Sequence, residues 1–436
     1  MELEENAEEK LVVENIKKFL CSEKSELMNF CYFSIRKGNN ERYFKDTINV
    51  VEDNEFDSLF PLVSIVVLTA NKIECDSLNY IFSKQKSNNL KKRKHAIPIF
   101  EGSDLGAPDA YLFQIQSVYV LHLYAYETGS NTPGGSTDLV RFISGNSFIK
   151  PSCIISFGIC YGRDPRNQNI GDVLIPKKLY PWSVGQKITD ERGLDIKHDN
   201  FNFWLEDKFA GSGIYSILNS FCNGNDGRVI MDSIELKEED RINNRNCDFL
   251  LNVAWGNMST GEGVVSSQKL KEMIQSATNN EKELGGEMEG YGIAKECVFY
   301  AKIPCLMIKA ICDWGVCKDI DRKLREEEIS CPEKLKDKLQ AYAAFCSAMV
   351  LLQLLNCEKE TFLSLEIIKW MGDKQRGKNC ILKDEYVEKE KIIRDINKYY
   401  NVNRESANKI FKIFLENNLI IKLQDEKLHD KYRFNY

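Results

Sequence analysis

The chain of 436 residues sets 59 lysines and arginines against 65 aspartates and glutamates, a formal net charge of -6. That length holds one large α/β domain with smaller appendages, and the modest acidic balance excludes wholesale nucleic-acid affinity while leaving room for a local patch. The acidic start, Met1 to Lys10, lacks the basic and apolar stretches of a secretory signal, and no apolar run approaches the roughly 20 residues of a membrane span. A cytoplasmic protein without a membrane segment is the expectation.

Fifteen cysteines, an odd number, scatter singly through apolar segments at Cys153, Cys160, Cys305 and Cys312, the pattern of buried free thiols in a reducing compartment. With no C-x-x-C pair and only His95, His122, His198 and His429, neither a metal nor a cofactor is expected.

In chain order, residues 1–60 read as a helical extension, since Leu11, Val12, Ile16, Phe19 and Leu20 suit an amphipathic helix. The main domain, 61–357, opens with Leu62–Thr69, a β-branched run with the signature of a buried parallel strand. The basic stretch Lys84–His95 reads as a solvated loop or hairpin tip. Further strands fall at Ser117–Tyr126, Cys153–Ile159 and Cys305–Cys312, with helical patterns between several of them, which predicts an α/β fold. A charged linker, Lys318–Lys338, leads to an apolar helix, Leu339–Leu355, expected to pack back on the sheet. Residues 361–436 resemble a small winged-helix domain. They offer a helical stretch at Leu363–Met371, then Ile392, Ile393 and Ile396 at helical spacing, then a helix started by Asn403 with Ala407, Ile410, Phe411 and Phe414 on its apolar face. Leu419–Leu423 and Tyr432–Tyr436 are set to pair as a hairpin. From Ile381 on, twelve basic and ten acidic residues favour a protein contact or oligomer assembly over DNA.

Four segments carry polar chemistry at strand ends. Thr69-Ala70-Asn71-Lys72-Ile73-Glu74 ends the first core strand, where open α/β sheets place ligands; alone, Glu74 is equally an ordinary acid of a first helical turn. Tyr126-Glu127-Thr128-Gly129-Ser130-Asn131-Thr132-Pro133-Gly134-Gly135-Ser136 can bring backbone N–H groups to an anion or a ribose hydroxyl, or form a plain turn. It lacks the Gly-Lys-Ser/Thr of a nucleoside triphosphatase loop. Phe157-Gly158-Ile159-Cys160-Tyr161-Gly162-Arg163 again combines glycines with a strand end, and Arg163 is either a phosphate ligand or simply solvated. Gly286-Glu287-Met288-Glu289-Gly290 and Lys309-Ala310-Ile311-Cys312-Asp313 bring further acids to the same kind of position. Breaking a ribosyl–base bond needs a protonated leaving base and stabilisation of a developing oxocarbenium ion, and carboxyl groups serve both needs.

These segments, in this order and spacing over nearly three hundred residues, resemble the methylthioadenosine/S-adenosylhomocysteine nucleosidases of the nucleoside phosphorylase superfamily. The resemblance implies a three-layer α/β/α sandwich around a mixed, partly barrel-like sheet, a homo-oligomer, and hydrolysis of the N-glycosidic bond of a purine nucleoside or nucleotide. It implies that Glu74 activates the attacking water, Glu289 grips the ribose hydroxyls above Met288, and Asp313 serves the purine N7. Glu287, Val264, Val265, Gly158, Ile159 and Ala70 would complete the substrate site, with Gly129, Ser130 and Arg163 as phosphate candidates. Three positions depart from those enzymes: Val264 replaces a usual phenylalanine, Ile159 a serine and Lys309 an arginine. The Glu-Thr-Gly-Ser…Pro-Gly-Gly-Ser loop and Cys-Asp-Trp ending look closer to nucleosidase-like effector domains of bacterial defence proteins, thought to deplete nucleotides. Two alternatives stand beside hydrolysis: a phosphate-dependent phosphorylase, and a nucleoside sensor signalling through the C-terminal domain.

Overall fold

A computed structural model describes residues 2–39, 48–84, 90–99, 107–115, 118–126, 134–182, 250–261, 265, 268–277, 283–316, 320–326, 332–357, 387–400, 402–416, 420–422 and 431–434, with short pieces between 187 and 230. Two helices, α1 (Glu2–Leu20) and α2 (Lys24–Asn39), precede β1 (Ile48–Val51) and the short α3 (Asp53–Asp57). Val12, Val13, Ile16 and Phe19 of α1 are buried, so its apolar face is core. Phe19 meets Tyr342 edge to face at 5.2 Å.

The central elements follow: β2 (Val63–Thr69), α4 (Lys72–Ser83), β3 (Leu90–Arg93), β4 (Asp109–Ile115), β5 (Val118–Tyr124), α5 (Ser136–Gly145), β6 (Cys153–Gly162) and β7 (Val173–Pro181). Two-residue strands β8 (Lys187–Ile188) and β9 (Leu194–Asp195) pair apart, and β10 (Phe203–Trp204), α6 (Leu205–Phe209) and β11 (Arg228–Ile230) border the sheet. The second half holds β12 (Leu250–Thr260), α7 (Gln268–Ala277), β13 (Glu283–Glu287), α8 (Gly290–Lys295), β14 (Cys305–Asp313), α9 (Ile320–Glu326) and α10 (Leu335–Cys357).

Twelve strands form one mixed sheet, ten of them in the order β1-β3-β4-β5-β2-β6-β13-β12-β7-β10, with β11 paired to β12 and β14 to β6 and β7. Because β14 pairs parallel with β6 and antiparallel with β7, the path β6-β13-β12-β7-β14 closes on itself, and this part of the sheet is a barrel. The interior strands β2, β5 and β14 are buried along nearly their whole length, which is why they read as mostly apolar runs. Helix α10 lies against β14, β6 and β7 with α4 and α2 beside it, while α5 packs with α8. By length and composition Leu335–Asn356 is apolar enough to cross a bilayer, yet 83% of its most apolar window is buried inside the protein, the state of a core helix.

Two expectations are corrected. Leu90–Arg93, inside the stretch read as a solvated loop, is strand β3, pairing parallel with β1 and antiparallel with β4. Its cations have acidic partners on α3 and β4: the buried Arg93 bonds both carboxylate oxygens of Asp57 at 2.9 and 3.1 Å, Lys91 lies 3.6 Å from Glu55, and Lys92 bonds Asp109 at 3.0 Å. The charged segment Lys318–Lys338 is no plain linker either, because α9 forms within it around the buried Leu324. Cys31, Cys75, Cys153, Cys160, Cys222, Cys297, Cys305, Cys312 and Cys346 are buried free thiols, and Cys21 is an exposed one.

At the C-terminus, β15 (Val387–Glu388), α11 (Lys389–Tyr400), α12 (Arg404–Glu416), β16 (Ile420–Lys422) and β17 (Lys431–Phe434) form two amphipathic helices and a three-stranded antiparallel sheet. Asn403 caps α12, its side-chain oxygen accepting from the Ser406 N–H at 2.8 Å. Tyr400 donates to the carbonyl of Pro61 at 2.9 Å, just before β2. The helical stretch read at Leu363–Met371 lies outside the described residues.

Candidate active site

Glu74 sits on the first turn of α4, where Asn71 supplies the cap and both halves of a capping box form. The same carboxylate is buried and accepts three backbone N–H groups, from Ala70 at 3.1 Å, Asn71 at 3.2 Å and Ile159 at 3.0 Å. Helix capping and a place inside the sheet are thus one arrangement. Burial pushes the Glu74 carboxyl up to about 7, with the Glu289 charge adding to the rise while Lys309 and the N–H donors oppose it.

Gly158 makes the space for this acid. A Cβ at position 158 would stand 2.0 Å from Oε1 of Glu74, and φ there is +150°. Gly158→Ala therefore displaces the carboxylate. We expect about 10²-fold lower kcat/KM for base release, and an unchanged rate in a well-folded variant would show that the position of Glu74 is immaterial.

Strand β14 lies beside β6 with Lys309 opposite Gly158. Lys309 is buried and donates to Oε2 of Glu289 at 3.0 Å, with Oε2 of Glu287 at 3.7 Å. Burial alone would lower its pKa, but the charges of Glu289, Glu74 and Glu287 outweigh burial and hold the ammonium above its ordinary range. One cation thus pairs with two acids and lies in the field of a third. The signal for it was a lone lysine inside an otherwise apolar strand, and sequence reasoning noted that position without placing it in the site.

Glu287 ends β13, and its carboxylate accepts from the N–H of Glu289 at 2.9 Å and of Gly290 at 2.8 and 3.0 Å. Those bonds hold the turn that presents Glu289, so Glu287 acts on the backbone of its neighbours. Burial raises the pKa of Glu287 as well, and the nearby Glu289 charge adds to the rise. Met288, between the two acids, is half-buried. The Ser136 hydroxyl donates to the Glu289 carbonyl at 3.3 Å, and the Tyr291 N–H to Thr260 Oγ1 at 3.0 Å, fixing this turn against α5 and β12.

Asp313 closes β14 after a register shift between Ile311 and Asp313, the kind of bulge that re-aims a strand-end side chain. Oδ1 accepts the Gly315 N–H at 2.7 Å. Val265 packs on Gly315 from the other side: a Cβ at Gly315 would meet its Cγ1 at 3.0 Å.

The structure therefore brings Ala70, Glu74, Gly158, Ile159, Glu287 and Glu289 together around Lys309, with Asp313 at the end of the same strand as Lys309 and Val265 beside Gly315. Val264, Gly129 and Ser130 lie outside the described residues. The phosphate candidate Arg163, and the cations Lys72 and Arg141 on α4 and α5, have acidic or carbonyl partners. Arg163 donates to the Lys271 carbonyl at 3.1 Å and lies 3.8 Å from Glu283, Lys72 pairs with Asp76 at 2.6 Å, and Arg141 with Glu296 at 2.9 Å.

No family model matches the chain. In sequence, 185 residues are 27% identical to a death domain-containing ATP nucleosidase of Amphimedon queenslandica, a match covering 40% of this chain and 31% of that protein. The chain thus matches less than a third of that relative's length. Among solved structures, futalosine hydrolase of Helicobacter pylori superposes with a TM-score of 0.45 at 14% identity, covering 68% of this chain and 98% of that one. A methylthioadenosine/S-adenosylhomocysteine nucleosidase from S. pneumoniae gives a TM-score of 0.42 at 18% identity, covering 69% and 99%. The chain is an α/β protein that resembles nucleosidases.

Proposed function

We propose that the chain hydrolyses the N-glycosidic bond of a purine nucleoside or nucleotide, releasing the free base. The carrying observation is the buried carboxylate of Glu74, held by three N–H donors and poised near neutrality beside a lysine-anchored pair of glutamates. In this reading Glu74 takes a proton from water as the water oxygen attacks C1′. The C1′–N9 bond breaks, and its electron pair passes into the purine, which Asp313 protonates at N7. Glu289, steadied by Lys309, receives the ribose hydroxyls, and the negative charge of the site favours the oxocarbenium-like transition state. Val265 and Val264 would flank the base, with Met288 beneath the sugar.

A general base of this kind favours water over phosphate as nucleophile. The relative named an ATP nucleosidase puts nucleoside triphosphates first among substrates to test, and the same reading makes the protein a nucleotide-depleting defence effector. Gly129 and Ser130 then serve the phosphates, and the C-terminal winged-helix-like unit serves a protein partner or assembly of a homo-oligomer in the cytoplasm.

The test incubates the purified full chain with nucleosides, nucleotides and S-adenosyl metabolites, with and without phosphate, and identifies free base by chromatography. Base release independent of phosphate is expected. Release that requires phosphate and yields ribose 1-phosphate would make the protein a phosphorylase, and no release from any substrate would favour a sensor. Asp313→Asn should lower turnover about 10²–10⁴-fold; wild-type turnover in that variant would remove Asp313 from the chemistry.

A further inference from the structure

Helix α1 buries one face in the core, and its polar side chains reach toward the segments around Asp313. Glu8 accepts from Lys271 of α7, Glu9 pairs with Lys323 of α9, and Asn15 donates to the Pro165 carbonyl in the loop after β6. These partners are far away in sequence, at separations of 263, 314 and 150 residues.

Lys271 is the unusual member, because it is only 1% exposed. Its ammonium also donates to the Arg163 carbonyl at 3.1 Å, and the Arg163 guanidinium returns a bond of 3.1 Å to the Lys271 carbonyl. Arg163 in turn lies 3.8 Å from the buried Glu283. A buried cation needs its partners, so removing Glu8 leaves α7 with a charge that must draw in water or move.

Movement of α7 would not stay local. Leu270 and Ile274, which flank Lys271 on α7, pack with Tyr161, Trp182 and Val265 in one small apolar cluster. Val265 and the Tyr161 ring are the neighbours that a Cβ at Gly315 would meet, at 3.0 and 3.4 Å, and the Gly315 N–H holds Asp313. A path of packed side chains thus runs from Glu8 through Lys271 and α7 to the support of Asp313. Through Glu9, the same helix grips α9, which follows Asp313 in the chain.

We propose that α1 is a positioning element of the site, in which Glu8 and Glu9 clamp α7 and α9 so that Val265, Tyr161 and Gly315 hold the Asp313 carboxylate against a bound base. What Asp313 meets rests on the nucleosidase reading; the clamp itself does not. The apolar face of α1 stays in the core whatever the charges do, so the clamp can be removed while that packing is kept.

The test compares the full-length wild type with Glu8→Gln/Glu9→Gln, with Glu9→Lys, and with Glu9→Lys/Lys323→Glu. Hydrogen–deuterium exchange is read at α7, at Asp313–Val316, at α9, and at α4 and α10 as internal references. In the double glutamine variant, α7, Asp313–Val316 and α9 should exchange about tenfold faster while α4 and α10 keep their protection. Glu9→Lys should loosen α9, and adding Lys323→Glu should restore it. With ATP and adenosine as probes, the double glutamine variant should lower kcat and raise KM together, whereas a mere loss of folded protein lowers apparent kcat and leaves KM alone. Unchanged exchange at α7 and α9 would overturn the clamp, and so would loosening shared equally by α4 and α10, since α1 would then be a general stabiliser. If the wild type releases no base from any substrate, the nucleosidase reading falls and exchange alone decides the clamp.

Discussion

Glu74→Gln is expected to lower base release about 10²–10⁴-fold, the range for removing a positioned general base, and to flatten the acid limb of the pH profile. The wild-type carboxyl is pushed up to about 7 by burial, with the Glu289 charge adding to the rise. Below that value it carries a proton and cannot accept one from water, so kcat/KM should fall about tenfold for each pH unit lost. Above it the carboxylate is free, and the profile should level. Glutamine keeps the size and can still accept N–H bonds, but it has no basic oxygen, so its residual rate should not follow this limb. Rates are to be measured from pH 5 to 9 on the substrate found in the panel. Unchanged hydrolysis in Glu74→Gln would exclude Glu74 as the base.

Lys309→Met should cost both stability and rate. Removing one partner from a buried ionic cluster is destabilising by about 3–5 kcal/mol, and here it leaves Glu74, Glu287 and Glu289 together without their cation. The Lys309 charge opposes the upward shift of Glu74 in the wild type, so the acid limb should move to higher pH in the variant. Stability should respond with the matching sign. Carboxyls whose folded pKa lies above the unfolded value bind protons more readily in the native state, so the variant's melting temperature should recover as pH falls through its raised folded value toward the ordinary carboxylate range. Lys309→Arg retains the charge in a space shaped for an ammonium, and its acid limb should stay near the wild-type position. A Lys309→Met protein with both the wild-type melting temperature and the wild-type pH profile would remove Lys309 from the electrostatic centre of the site.

Local pattern carried much of the architecture. The β-branched run before Asn71 is β2, within one residue of its expected start, because a strand buried on both faces selects continuous apolar residues. Asn71 followed by Glu74 is legible as a capping box, since both partners lie within one helical turn. Short charged elements were less legible. In β3, acids from α3 and β4 pair with the basic residues, and in α9 the buried Leu324 anchors a short, mostly charged helix. Charge alone cannot distinguish such elements from loops, because it is the neighbour that removes the cost of burying it.

The opening helices show the same division most clearly. Their amphipathic spacing was visible in Val12, Ile16 and Phe19, but nothing in that spacing tells which surface they cover.

By itself, the sequence determined the α/β class, the strand ends and the acids placed on them, because these follow from residue type and local period. Only the tertiary structure decided that Lys309 pairs with Glu289 and Glu287, that Ile159 donates to Glu74 across 85 residues beside the space Gly158 leaves, and that Glu8 meets Lys271 across 263. The physical reason is that hydrogen bonding and charge pairing act through space over a few ångströms, while sequence patterns report only the neighbours a residue keeps along the chain.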